Sequence, residues 1–179
     1  NKLWRLADNS SNSPIINSKQ VSLGLVYQKN GWSFDLDSYL KNVNGISSLY
    51  LGFLNSNLNK FNNGEQKITG TDFYLKKNLD RIGIWTSYSF TQITDQFKGI
   101  NNNKPFTSSN QIRKAVTIST SYKIKQLQIA LGWKWHTGKP FSVAQTNTSN
   151  GEIFFTDVNT GTLPNYQRLD LSMIYIKKI

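Results

Sequence analysis

The chain has 179 residues, no cysteine, one histidine and a formal charge of +11, with five Trp, eight Tyr and ten Phe. That length suffices for one domain. The lack of cysteine excludes a disulfide scaffold and a thiolate metal site, and one histidine excludes a His-rich metal site. No apolar run approaches the roughly 18 residues of a membrane-spanning helix. Lys and Arg are spread over turns, loops and strand ends, without the dense stripe of a nucleic-acid surface. The first residue is not Met and no signal peptide precedes the first element, so the chain reads as a mature protein or a piece of a larger one.

Residues 1–19 show no sustained period and read as loop, with an earlier strand end at 3–6. The first strand is expected over 20–28, with Val21, Leu23, Leu25 and Tyr27 on one face and Ser22, Gly24 and Gln28 on the other. A period of two is the mark of a strand. Asn30-Gly31 follows, the strongest short hairpin signal, because both residues tolerate positive φ. The second strand, 32–41, sets Trp32, Phe34 and Leu36 against Asp35 and Asp37. Asn42-Val43-Asn44-Gly45 reads as a turn, 46–54 as a strand extension or extra hairpin, and the Asn-rich 55–64 as loop.

The third strand is expected over 66–78, where Phe73 and Leu75 alternate with Asp72 and Lys76. A tight connection leads to the fourth, 81–93, the clearest of all. There Ile82, Ile84, Thr86, Tyr88 and Phe90 oppose Gly83, Ser87, Ser89 and Thr91, with Trp85 the only large apolar residue on the polar side. Residues 94–112 read as a long polar connection. The fifth strand, 113–123, and the sixth, 127–136, meet at a short turn. Leu127, Ile129, Leu131, Trp133 and Trp135 share one face of the sixth. After a long loop the seventh strand, 166–176, sets Leu169, Leu171, Met173 and Tyr175 against Arg168, Asp170 and Ser172.

Connections within the three hairpins are expected to be two to four residues long, and those between hairpins roughly twenty to thirty. Long structureless loops are uncommon in compact soluble domains. An outer-membrane β-barrel, by contrast, has short turns at one end and long loops at the other. Charged residues within strands would be costly in a dry core. The fold expected from these patterns is all-β: an antiparallel transmembrane β-barrel. Seven strands are odd in number, and an eighth at 46–54 or 3–6 would complete a small closed barrel. Because an incomplete sheet exposes its edges, the chain reads instead as a segment of a wider one.

Several stretches resemble a known family. Gly70-Thr71-Asp72-Phe73-Tyr74-Leu75-Lys76-Lys77 followed by Trp85-Thr86-Ser87-Tyr88-Ser89-Phe90, then Trp135-His136-Thr137-Gly138-Lys139-Pro140-Phe141, then Leu163-Pro164-Asn165-Tyr166-Gln167-Arg168-Leu169-Asp170-Leu171 resemble late strands of TonB-dependent outer-membrane receptors. The likeness is to the Bacteroidetes-type members in particular. It rests on a Thr-Gly-x-Pro element closing one strand and an Arg-x-Asp element opening another. Many relatives carry Asp-x-x-His before the fifth strand, where this chain has Asn110-Gln111-Ile112-Arg113.

The resemblance implies a 22-strand barrel, of which residues 1–179 would be a partial domain of seven or eight strands without the plug. It implies TonB-dependent uptake of a scarce solute (a metal chelate, cofactor, glycan or peptide) across the outer membrane of a Gram-negative bacterium. It also implies no enzymatic activity and no cofactor. Partners would be outer-membrane lipid, TonB through an N-terminal region outside this chain, the plug and, as an open option, a surface lipoprotein; nucleic acid would not be one. The polar wall facing the lumen would comprise Asp35, Asp37, Asp72, Lys134, Arg168 and Asp170. Candidate ligand or vestibule residues are Phe97, Lys104, Phe106, His136, Phe141, Phe154 and Phe155. Two rival readings remain: the small closed eight-strand barrel with a structural or adhesive role, and a soluble β-sandwich binding module.

Overall fold

Each alternating stretch forms a strand, and adjacent strands pair in chain order. In the computed structural model, which describes residues 15–50, 60–146, 149, 151, 153–155 and 157–177, the main strands are β1 (Asn17–Lys29), β2 (Trp32–Tyr50), β3 (Lys60–Asn78), β4 (Ile82–Phe97), β6 (Lys114–Ile124), β7 (Leu127–His136) and β12 (Tyr166–Tyr175). Short strands occupy the connections: β5 (Phe106–Thr107), β8 (Pro140–Phe141), β9 (Ala144–Thr146), β10 (Ile153–Phe155) and β11 (Gly161–Thr162). The sheet runs β1-β2-β3-β4-β6-β7-β12, with β5 added beside β4. β9 pairs with β10, and β8 with β11.

The three short turns are each tied by the same kind of bond to the end of the neighbouring strand: β3, β6 and β12. Asn78 N–H donates to the Gly31 carbonyl, Lys123 N–H to that of Arg81 and Ile176 N–H to that of Gln126, each at 2.9 Å. The registers place each successive turn about two residues beyond the last. That is about one residue of stagger per strand. With about 3.4 Å of rise and 4.8 Å between strands, the turns lie on a line inclined by about 35°. This matches the strand tilt of outer-membrane walls.

Register also assigns the faces, because residues paired across antiparallel strands point the same way. Tyr27 pairs with Phe34 and Phe34 with Leu75. Tyr88 pairs with Val116, Val116 with Trp135 and Trp133 with Leu169. The main apolar runs of all seven strands therefore fall on one side of the sheet, while Val26, Tyr74, Trp85 and Ile174 lie on the other. On β2, β4 and β7 this apolar band starts beside a short turn and runs eight residue steps, from Trp32 to Leu40, Ile82 to Phe90 and Leu127 to Trp135. Eight steps are about 27 Å along a strand, or about 22 Å in height at the inclination above. Nothing packs on this side among the described residues. Val43 and Phe97 are the only buried hydrophobic side chains among the described residues, whereas Leu23 is 81% exposed and Leu171 67%.

Several expectations are corrected. The barrel is the first: the sheet is open, neither closed nor strongly curled, and among the described residues β1 and β12 each pair on one side only. Neither a closed transmembrane barrel nor a 22-strand segment is therefore the fold of this chain, and the small eight-strand barrel fails on the same observation. Alternation and turn chemistry fix strands and hairpins, but they carry no information on what meets an outermost strand. The soluble sandwich would need a second large sheet over the apolar face, and none is present among the described residues.

Residues 42–45 form no turn. Strand β2 runs through them on a bulge, where the register shifts between Asn44 and Ile46 and Gly45 takes φ 81°. Residues 46–50 continue β2 and 60–64 belong to β3, so the loop expected over 55–64 begins its return strand earlier. The remainder of the 46–54 and 55–64 readings, and the strand end at 3–6, lie outside the described residues. Strand β4 extends to Phe97, and 98–113 hold a 3₁₀ turn (Asn101–Asn103) and β5 rather than bare loop. All three asparagines of that turn have positive φ, between 51° and 60°, which their short polar side chains tolerate.

Candidate functional site

The side of the sheet opposite the apolar band is polar and small. Asp35, Asp37 and Asp72 all face this way, because Asp37 pairs with both Gly24 and Asp72, and Asp35 with Val26 and Tyr74. With Ser22, Ser87 and Ser89 they line a hollow of about 520 Å³. Lys134, Arg168 and Asp170 fall on the same face at the far side of the sheet, Lys134 directly opposite Arg168. The aspartates thus gather at the middle of β2–β3, with Lys41 and Lys76 further along the same face, and the basic pair lies on β7–β12.

Both regions contain like charges in direct cross-strand pairs, an arrangement that destabilises a sheet. Arg168 is relieved by Asp170 two residues along the same face, Nε to Oδ2 at 2.8 Å, the one ion pair among the described residues. Asp37 and Asp72 have no such relief, and the wall pairing with Lys or Arg expected for Asp35 and Asp37 does not form among those residues. Asp72→Asn is therefore expected to raise stability by about 0.2–1 kcal/mol, read as a higher urea midpoint. A fall would mean that the carboxylate holds a favourable partner. No group of three or more His, Cys, Asp or Glu side chains is arranged to hold a metal ion among the described residues.

The vestibule candidates separate into clusters rather than converging. Phe97, 8% exposed, packs on Phe106 with ring centroids 6.2 Å apart, so this pair secures the 98–113 connection against β4. Lys104 is exposed nearby. His136 stacks on Tyr166 at 4.9 Å, and its Nδ1 lies 2.8 Å from the Thr137 carbonyl oxygen. Phe141 lies on β8, against Gly161 of β11. Phe154 and Phe155 belong to β10, paired with Gln145 and Ala144; their side chains lie outside the described residues.

The Thr137-Gly138-Lys139-Pro140 and Asn110-Gln111-Ile112-Arg113 elements have structural roles here. Thr137 Oγ1 accepts from the Arg113 and Lys114 N–H groups at 3.0 and 3.2 Å, capping the start of β6. Gly138 N–H donates to Asn165 Oδ1, and Leu163 N–H to the Lys139 carbonyl. Gln111 Oε1, on a buried side chain, accepts from Ile93 N–H at 2.6 Å. Gln111→Leu removes that acceptor and is expected to cost about 1–3 kcal/mol, with faster hydrogen exchange at the Ile93 amide. Unchanged exchange would show that water replaces the side chain.

Sequence reading missed two anchors. Ser108 is fully buried, and its N–H donates to the Ile93 carbonyl. Asn159 Nδ2 donates to the Thr107 carbonyl at 2.8 Å, joining two connections 52 residues apart. The sequence signal was only the run of turn-forming residues around Asn159, which takes φ 56° in the structure.

An open sheet with one apolar face, one polar face, short turns at one end and long connections at the other is the geometry against which likeness can be judged. Residues 11–178 match the family model described as TonB dependent receptor-like, beta-barrel. The chain belongs to that family. No curated protein and no solved structure matches it. Membership of a TonB-dependent receptor family is consistent with a receptor and transport role, and the outer membrane of Gram-negative bacteria is the location consistent with it. The Arg-x-Asp element of this receptor-family chain is the salt-bridged pair on the polar face, and its Thr-Gly-x-Pro element is the junction between β7 and the long connection.

Proposed function

We propose that this open sheet is the lipid-facing surface of a receptor that takes up a scarce solute across the outer membrane, driven through TonB. The apolar face meets the hydrocarbon and the polar face lines the solute path. The observation that carries this reading is the apolar band across the sheet, about 22 Å high on β2, β4 and β7, with nothing packed on it among the described residues. An apolar surface of that extent is unstable in water and suits the roughly 25 Å band of an outer-membrane wall. Asp35, Asp37, Asp72, Lys134, Arg168 and Asp170 would then border the solute path, and Lys104 and the rim aromatics its outer mouth. The order of the Thr-Gly-x-Pro and Arg-x-Asp elements supports placing the chain late in a Bacteroidetes-type receptor. Its further partners would be a plug, TonB and a surface lipoprotein. The solute would be a metal chelate, cofactor, glycan or peptide.

Fractionation followed by uptake tests the proposal. The chain is expected in the outer-membrane fraction, resistant to carbonate extraction. Loss of its gene and loss of TonB should abolish accumulation of the same labelled solute from a panel of those four classes. Recovery in the aqueous fraction, or uptake unaffected by TonB, would overturn it.

A further inference from the structure

The turn end of the apolar band carries a second chemistry that the wall role does not require. Trp32 is paired in the ladder with Lys29 on one side and Lys77 on the other. The Lys77 ammonium sits 4.7 Å over the Trp32 ring and donates to the Asn30 carbonyl at 2.8 Å. Each of the other two short turns also bears a cation, Arg81 and Lys125, both exposed. Around Lys125 the chain forms a small hollow of about 100 Å³, lined by Lys123, Gln126, Leu127 and Ile176 as well. Tyr27, Trp32, Tyr122 and Tyr175, all on the apolar face at this end, are 41–66% exposed. Asp80 is the only acidic residue in the three turns.

The geometry points to a binding edge for anionic phospholipid head groups along the short turns, formed by Lys29, Lys77, Arg81 and Lys125 above the aromatic border of the apolar band. It rests on the membrane-wall reading and adds the head-group class and the leaflet. Apolar residues below take the acyl chains, tyrosine and tryptophan rings sit at the polar boundary, and ammonium and guanidinium groups meet phosphate just beyond it. Arg81 offers a planar fork of donors suited to phosphate, and each lysine a point charge. Short turns lie on the inner side of outer-membrane walls, so the partner is the phospholipid of that leaflet. Cations close to an anionic surface add to binding and lose strength with salt.

Flotation with vesicles tests this, using phosphatidylcholine alone and a 7:3 mixture of phosphatidylcholine and phosphatidylglycerol. The chain should bind both, and the anionic vesicles at least about tenfold more tightly at low salt. Replacing Lys29, Lys77, Arg81 and Lys125 by Gln should remove the preference. Replacing Lys67, Lys98, Lys114 and Lys139 by Gln, an equal loss of charge at the other end, should leave most of it. Equal loss in both variants would mean general attraction to a chain of charge +11 and would overturn the inference. Equal binding of the wild type to both vesicles would overturn it too, leaving the wall reading intact. Binding to neither would sink the wall reading itself.

Discussion

Leu131→Arg should destabilise the chain in phospholipid vesicles by about 2–4 kcal/mol, the cost of a cation at the middle of a lipid-facing wall. Leu131 is midway along the apolar run of β7, between Thr120 of β6 and Leu171 of β12, and is 42% exposed. From that depth, about 13 Å along the strand from either end of the run, an arginine cannot bring its whole head group to water. The neighbouring Ala130 points to the polar face, paired with Ser121 and Ser172. Ala130→Arg should therefore cost far less. Urea titration of both variants in the same vesicles gives the comparison. Equal losses would mean that lipid does not distinguish the two faces, and the wall orientation would fail.

Gly138→Ala should cost about 3 kcal/mol. A methyl group there would run into the Leu163 carbonyl, which is backbone and is itself held by the bond from Leu163 N–H to the Lys139 carbonyl at 2.9 Å. No rotamer change relieves such a contact, so the segment leading into β12 must shift, placing the penalty at the upper end of ordinary overpacking. Gly132→Ala is the control. Nothing lies within 4 Å of its added carbon, and the change should be neutral or stabilise by up to about 1 kcal/mol through the unfolded chain. Hydrogen exchange at Leu163 should rise in the first variant alone. A Gly138 variant as stable as the wild type would show that the close approach is not required.

The clearest strand positions, those of the fourth and sixth strands, were legible because their alternation spans eight or more residues, and a slip of one would turn every apolar side chain to the wrong face. The seventh strand needed almost no revision, at Tyr166–Tyr175 against an expected 166–176. The turn expected at 42–45 failed for a local reason. Asn44-Gly45 carries hairpin chemistry, but there a positive-φ glycine accommodates one extra residue in a continuous ladder, a bulge rather than a reversal. Composition alone does not separate these outcomes.

The wall charges were legible as polar positions within strands. Their arrangement was not. That Asp37 stands opposite Asp72, and Lys134 opposite Arg168, depends on register between strands up to 35 residues apart in the chain. The clustering of rim aromatics was likewise invisible, since Phe97 and Phe106 meet only because β5 folds back onto β4.

The sequence by itself determined seven two-faced strands, three tight hairpins and three longer connections, because side-chain period and turn chemistry are local properties. It also carried the motifs of the receptor family. Only the tertiary structure decided that all seven apolar faces merge into one band, that the turns step regularly along it, and that among the described residues the band is uncovered and the sheet is open at β1 and β12. Those features arise from hydrogen-bond register and from what each outer strand meets. No local pattern encodes either.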